Sequence, residues 1–350
     1  MLDFYKGKKV FVTGHTGFKG AWLCQVLIKA GAEVTGYALE PQTSPSLFEV
    51  LGLGESSIHS IIGDVCDGVA LTEAVVAAQP EIMIHMAAQP LVRESYRNPV
   101  KTYATNVMGT VNILEALRVL ESTNPGTVKS FVNVTTDKVY ENQEWIWGYR
   151  EDERLNGHDP YSNSKSCSEL VTASYKKSFD LPAISTARSG NVIGGGDFAA
   201  DRIIPDCYRA AVKSESVVLR NPTSTRPYQH VLECLPGYLT LAQAQYEDAD
   251  GISGSFNFGP RDESNVTTEQ LVGLFADAWG LGFDYEVKPD GGPHEANFLK
   301  LDISKAGSVL GWTPHWDIRT AVDKAATWYK AYDGGDAVEC TNRQIDAFFS

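Results

Sequence analysis

Long uncharged apolar runs are missing from this sequence. No stretch approaches the roughly 18 residues of a membrane span, so no membrane partner is expected. The first residues, MLDFYKGKK, run straight into a strand and lack the apolar core of a signal peptide; a cytoplasmic protein is expected. Cysteine is sparse and scattered. The six residues Cys24, Cys66, Cys167, Cys207, Cys234 and Cys340 form no CxxC pair, which argues against a disulfide framework and a structural zinc, so no metal is expected. Basic charge is short as well: 30 Lys and Arg face 44 Asp and Glu, a net charge of −14. Such a chain repels phosphate backbones, which disfavours nucleic acid and anionic lipid as partners. A small anionic ligand stays open, because a local Arg cluster can oppose the overall field. Repeats and low-complexity linkers are also absent, so any lobes pack against each other. What is present is 350 residues at 43% hydrophobic, enough for two domains or one large domain with a second lobe.

Short apolar runs alternate with helix-length segments. KKVFVTG, EVTGYAL, IHSIIGDVCD, EIMIHMAA, KSFVNVTTDKVY and PAISTARSGNVIG read as strands. AWLCQVLIKAGA, GVALTEAVVAAQ, VKTYATNVMGTVNILEALRVL and the segment from Tyr161 to Phe179 read as helices. This alternation predicts an α/β fold, a Rossmann-type doubly wound parallel sheet with helices on both faces and ligands at the C-terminal strand ends. Residues 1–188 are assigned to the dinucleotide-binding domain, with a segment near 229–258 returning to it. Residues 189–350, richer in turns and prolines, are assigned mainly to a smaller mixed α/β substrate lobe, with helices at TTEQLVGLFADAWG and AVDKAATWYKAY.

The first strand is followed by Gly14-His15-Thr16-Gly17-Phe18-Lys19-Gly20 and then a helix. In that strand–turn–helix setting, glycines let backbone N–H groups and a helix N-terminus approach a pyrophosphate. A tight βα turn alone would also use glycine. An acid for the adenosine ribose is missing: Ala38 stands where Asp is expected and Glu40 lies just beyond. No Arg is near to take a 2′-phosphate, so NAD is favoured over NADP. Asp64 is read either as an adenine contact or as a turn cap. Ala87 and Ala88 are small enough to let the cofactor lie close.

Tyr161 and Lys165 form a Y-x-x-x-K pair. Positions four apart share a helix face, where an ammonium can lower the phenol's pKa from about 10 toward neutrality and make a base. A solvated helix face would look the same. Thr135-Thr136-Asp137-Lys138, at a strand end upstream, raises the pair above chance.

With these elements in order, the chain resembles the extended short-chain dehydrogenase/reductase family, and within it the nucleotide-sugar 4,6-dehydratases. The segments carrying the resemblance are TGHTGFKGAWL, HMAAQPLVRESY, TNVMGT, TTDKVYEN, WGYREDE, DPYSNSK, RSGNVIGGGD, TRPYQHV, FNFGPRDE and HEANFLKLD. Related epimerases lack an Asp-Lys or Asp-Glu dyad after the Thr, and dTDP-glucose dehydratases carry Glu where Lys138 stands; the Lys points to the branch acting on CDP-glucose. The resemblance implies a lyase that oxidises the sugar at C4, loses water across C5–C6 and returns hydride to C6, with NAD regenerated, in deoxysugar and surface-polysaccharide synthesis. It implies Tyr161 as base on the 4-hydroxyl, Thr136 as hydrogen-bond partner of the same oxygen, and Lys165 as holder of Tyr161 and the nicotinamide ribose. Asp137 is implied as the acid for the leaving 6-hydroxyl. Lys138 is either the C5 base or only a positioning group for Asp137.

Substrate contacts follow more loosely. Arg226 and Arg202 are assigned to the diphosphate, or else to surface ion pairs. Asn191 resembles the family's amide contact to the phosphate, or caps a loop. Gln89 and Arg93 are assigned to the sugar pocket, with a structural salt bridge as the other reading of Arg93. His294 is placed beside the nucleotide, or in a plain loop. His85 reads as a satisfied core histidine, and Trp145, Trp147 and Trp279 as core or lobe-interface aromatics. A homodimer through the helices near 100–120 and 162–179 is implied by the resemblance. A nucleotide-sugar 4-epimerase and a non-catalytic NAD-binding scaffold remain as alternatives.

Overall fold

The computed structural model describes residues 1–55, 57–280, 284–288 and 298–350. Its centre is a seven-stranded sheet of β1 (Lys9–Thr13), β2 (Glu33–Ala38), β3 (His59–Ile62), β4 (Ile82–His85), β5 (Ser130–Val134), β6 (Ala183–Ser189) and β7 (Gly254–Phe258). The spatial order is β7-β6-β5-β4-β1-β2-β3, and every pairing is parallel. The order reverses between β1 and β4, and ligands of such sheets bind at the carboxyl end of that switch point.

Strand alternation builds a core on each face. Val10, Val12, Ile82, Ile84, Val132 and Val134 point into one apolar cluster, whereas Phe11, Met83 and Phe131 point into the other. Helix α1 (Phe18–Lys29) and helix α2 (Val231–Glu247) cover the first face through Trp22, Leu27, Leu235 and Tyr238. Helix α3 (Gly109–Thr123) covers the second through Leu114 and Leu117, beside Leu71. Both faces are therefore dry, as near-continuous apolar strands require.

Helix α4 (Pro160–Ser178) carries the Y-x-x-x-K pair. Its start is fixed by Pro160 at the first turn and by Asp159, whose carboxylate accepts the Ser162 amide at 3.0 Å. The region after β6 forms short pairs away from the main sheet: Val192–Ile193 with Gln229–His230, Thr225–Arg226 with Val266–Thr267, and Val217–Leu219 with Tyr285–Val287.

Three local expectations are corrected. The helix expected over 100–120 is interrupted by a π-helical turn at Ala104–Met108, which turns Asn106 inward to bond the Gln89 amide at 2.8 Å and the Ser164 hydroxyl at 2.8 Å. The third strand ends at Ile62, because Asp64 folds back to accept the Cys66 amide at 2.9 Å. Trp147 is 59% exposed rather than core, while Trp279 packs on Phe275 and Tyr208.

Candidate active site

The glycine loop lies at the switch point. A methyl group on Gly20 would sit 2.1 Å from the Gly14 carbonyl oxygen, and one on Gly14 would meet the Ala87 nitrogen at 2.8 Å. Gly14 also has φ +79°, a left-handed backbone that glycine adopts without strain. The loop, the start of α1 and the end of β4 thus approach each other as closely as main chain permits. Thr13 Oγ1 accepts the amides of Met86 and Ala87, each at 3.1 Å, and Thr16 Oγ1 donates to the Leu39 carbonyl at 2.8 Å.

His15 and Lys19 behave differently from the rest of the loop. The His15 imidazole is fully buried over Gly36 and bonds Ser60 Oγ at 2.7 Å; burial lowers its pKa to about 4. Its ring therefore packs against the sheet at Gly36. The Lys19 ammonium reaches Tyr238 OH at 3.0 Å and Ser189 Oγ at 3.4 Å, and burial lowers its pKa. Asp64 is exposed and caps its own turn.

Beyond β5, Thr136 caps a single 3₁₀ turn, Asp137–Val139. Thr136 Oγ1 donates to Asp137 Oδ1 at 2.9 Å, and Lys138 Nζ donates to the same oxygen at 3.1 Å. Lys138 Nζ also donates to Asn191 Oδ1 at 3.1 Å. Asp137 is fully buried, and among the described residues its Oδ2 has no hydrogen-bond partner. A methyl on Gly190 would stand 3.1 Å from that oxygen and 2.6 Å from Pro227 Cγ, so Gly190 lets this loop pack close against Asp137.

Tyr161 is buried beside this turn. Burial raises its phenol to about 12; the Thr136 hydrogen bond and the Arg202 charge pull down, and the Asp137 charge pushes up. The expected lowering by Lys165 is corrected. Lys165 Nζ donates to the Val134 carbonyl at 3.0 Å, and its own pKa falls to about 8 through burial and the charge of Lys19. Lys165 is not among the groups that act most strongly on Tyr161, whereas the Arg202 charge is and favours the tyrosinate. The Arg202 guanidinium is held by Asp197 at 2.8 Å, whose charge and hydrogen bond outweigh the cost of burial and raise its pKa.

The other expected residues divide. His85 Nδ1 pairs with Thr13 Oγ1 at 2.7 Å, but among the described residues its Nε2 has no partner, so it is only half satisfied. Gln89 is turned into its own loop: its side chain bonds Thr102 Oγ1 at 2.9 Å and both the amide and the carbonyl of Leu91. The sugar-pocket assignment of Gln89 is therefore corrected to a loop brace. Arg93 is half-buried in the short helix Val92–Arg97, and Arg226 is buried on its strand with Nη1 donating to the Thr225 carbonyl at 3.1 Å. His294 lies outside the described residues. Asp197, Tyr238 and Ser189 were not singled out from the sequence, since nothing in their spacing marks them.

Known proteins resemble this chain over most of its length. The family described as GDP-mannose 4,6 dehydratase matches residues 11–325. The CDP-glucose 4,6-dehydratase of Salmonella typhimurium is 47% identical over 100% of this chain and 99% of its own. A dTDP-glucose 4,6-dehydratase of Xanthomonas campestris is 24% identical over 91% of this chain and 92% of its own. Among solved structures, a UDP-glucuronic acid 4-epimerase from Bacillus cereus superposes with a TM-score of 0.80 at 22% identity, over 92% of this chain and 99% of the other. A dTDP-glucose 4,6-dehydratase from Bacillus anthracis superposes with 0.78 at 20% identity, over 93% and 97%.

Proposed function

The chain belongs to the GDP-mannose 4,6 dehydratase family, and on that premise we propose that it dehydrates CDP-glucose to the 4-keto-6-deoxy sugar with NAD as a regenerated cofactor. The loop residues fit a dinucleotide: the crevice that a methyl on Gly20 would close admits main chain only, and α1 opens on it. The main chain of Gly14, His15, Thr16, Gly17, Phe18, Lys19 and Gly20 would hold the pyrophosphate, Ala87 and Ala88 would flank it, Asp64 would lie toward the adenine, and Lys165 would hold the nicotinamide ribose. Bound NAD supplies a reversible hydride acceptor for the sugar carbons.

Tyr161 takes the proton of the 4-hydroxyl, and Thr136 orients that oxygen. Burial makes the free phenol a weak acid, so the Thr136 bond and the Arg202 charge are what favour its anion. The 4-ketone acidifies the C5 proton. Asp137 then gives a proton from Oδ2 to the departing 6-hydroxyl. The single observation that carries this reading is that oxygen: buried, without a partner among the described residues, and beside Tyr161. An epimerase needs no acid there. Lys138, as its neutral amine, takes the C5 proton, and its contact with Asp137 Oδ1 lets that proton restore the acid; its contact with Asn191 fixes its place.

Arg202 and Arg226 are assigned to the diphosphate, together with Asn191, whose Oδ1 is taken by Lys138 and whose amide hydrogens suit a phosphate oxygen. Arg93 is assigned to the sugar side. No described helix is long and apolar enough to cross a membrane, and all six cysteines are free, which supports a cytoplasmic place. A homodimer is supported by apolar side chains left in water on the helices flanking the site: Val100 is 83% and Leu170 57% exposed.

The test is a panel of CDP-, UDP-, GDP- and dTDP-glucose. A nucleotide-linked 4-keto-6-deoxy sugar formed preferentially from CDP-glucose is expected. A product that keeps its 6-hydroxyl overturns the reading.

A further inference from the structure

Behind the site lies an ion pair that none of the steps above uses. Glu169 stands on α4, eight residues after Tyr161 and four after Lys165, and Arg188 stands on β6; both side chains are 2% exposed. The guanidinium grips the carboxylate with two parallel bonds, Nε to Oε1 at 2.9 Å and Nη2 to Oε2 at 2.8 Å. Its remaining hydrogens go to Ser255 Oγ at 2.9 Å, Tyr140 OH at 2.8 Å and the Glu151 carbonyl at 2.9 Å. The carboxylate also accepts the hydroxyls of Thr135 and Thr186. Burial works against its charge, but the Arg188 charge and these bonds outweigh it, so the carboxyl stays below its usual range.

The attachment points matter more than the number of bonds. Thr135 immediately precedes the Thr136-Asp137-Lys138 turn, and Tyr140 follows it by one residue. Glu169 holds the first through its hydroxyl, and Arg188 holds the second through its own. The turn is therefore pinned at both ends by one rigid unit. One half of that unit sits on the helix that carries Tyr161 and Lys165, so the acid and the base are indexed to each other through the pair. Bidentate Arg–carboxylate geometry fixes orientation as well as distance.

We propose that the Glu169–Arg188 pair is a positioning clamp that holds the Asp137 turn in register with the Tyr161 helix, so that water loss keeps step with oxidation at C4. The proposal rests on the dehydration reading of the site. It differs from a stability role in what it predicts. A slipped turn leaves Tyr161 able to act while the Asp137 acid misses C6.

Removing Glu169 or Arg188 outright would leave a buried charge uncompensated and endanger the fold. Thr135→Val and Tyr140→Phe instead cut one tether of the pair each and leave the ion pair intact, Tyr140→Phe also removing the bond to Asn257 Oδ1. The assay is acid quench of the enzyme turning over CDP-glucose, with borodeuteride trapping of any nucleotide-linked 4-ketone that still bears its 6-hydroxyl. Circular dichroism monitors folding. The double variant is expected to release the 6-deoxy product at least tenfold more slowly, with KM within twofold of wild type and the trapped 4-ketone raised at least fivefold. If the double variant does not fold, Thr135→Val alone carries the test with the same signature at smaller amplitude. A dehydrating wild type beside variants with no rise in 4-ketone, whether or not turnover falls, overturns the clamp alone. A wild type that leaves the 6-hydroxyl in place overturns the dehydration reading and the clamp with it.

Discussion

Asp137 and Lys138 are neighbours in sequence that bond each other through one oxygen only: Lys138 Nζ sits 3.1 Å from Oδ1, and Oδ2 lies buried beside Gly190 without a partner among the described residues. The carboxyl thus has one held oxygen and one left for the proposed proton transfer. Asp137→Asn preserves the shape and removes the acid. It is expected to form the 4-ketone at a rate near wild type and to lose water about 100-fold more slowly or worse. Rapid-quench analysis of 4-ketone against 6-deoxy product checks this. Unimpaired dehydration would remove Asp137 from the acid role.

Tyr161 carries the first proton transfer in this account. Tyr161→Phe leaves the packing in place and is expected to slow 4-ketone formation by about 100- to 10,000-fold. A single-turnover assay in which the 4-ketone appears at the wild-type rate would exclude the phenol as base.

The glycine loop makes a prediction of another kind. The extra methyl of Gly20→Ala meets a carbonyl oxygen rather than a yielding side chain. NAD affinity measured by titration calorimetry should fall at least tenfold, and the thermal midpoint should drop by the equivalent of about 1–3 kcal/mol. Unchanged affinity would show that the loop is a tight turn and nothing more.

Lys165 sets a pH dependence. Its pKa in the cofactor-free fold is lowered to about 8 by burial and by the Lys19 charge, against about 10.4 for the unfolded chain. Between those values the unfolded state binds more protons, so stability rises with pH there, and below about 8 the cost of the buried ammonium is felt in full. Across pH 8 to 10 the unfolding free energy of wild type should gain up to about 2–3 kcal/mol relative to Lys165→Met. Denaturation curves for the two proteins that stay parallel over that window would contradict the shift.

Local spacing carried much of the architecture. Short apolar strand runs, the Gly14–Gly20 loop and the four-residue step from Tyr161 to Lys165 were legible because each depends on residues adjacent in the chain. What was not legible depends on which distant groups meet. The Arg202 charge, which favours the Tyr161 anion, comes from a distant segment, and the Lys165 amine bonds a β5 carbonyl. Gln89 looked like a pocket residue until Thr102 and Leu91 took its amide. The break at Ala104–Met108 is set by Asn106 reaching across to Gln89 and Ser164. Glu169 offered one missed local cue, since it repeats the helical step of Tyr161 and Lys165, but its partner Arg188 is a tertiary neighbour.

The most direct test of the central claim, that an acid and a base converge on one hexose, is incubation of the wild-type protein with CDP-glucose in heavy water, read by NMR of the product. The account predicts solvent deuterium at C5, a methyl group in place of the 6-hydroxymethyl and no net change in the cofactor's redox state. A product with an intact 6-hydroxyl and only its C4 configuration altered would contradict it.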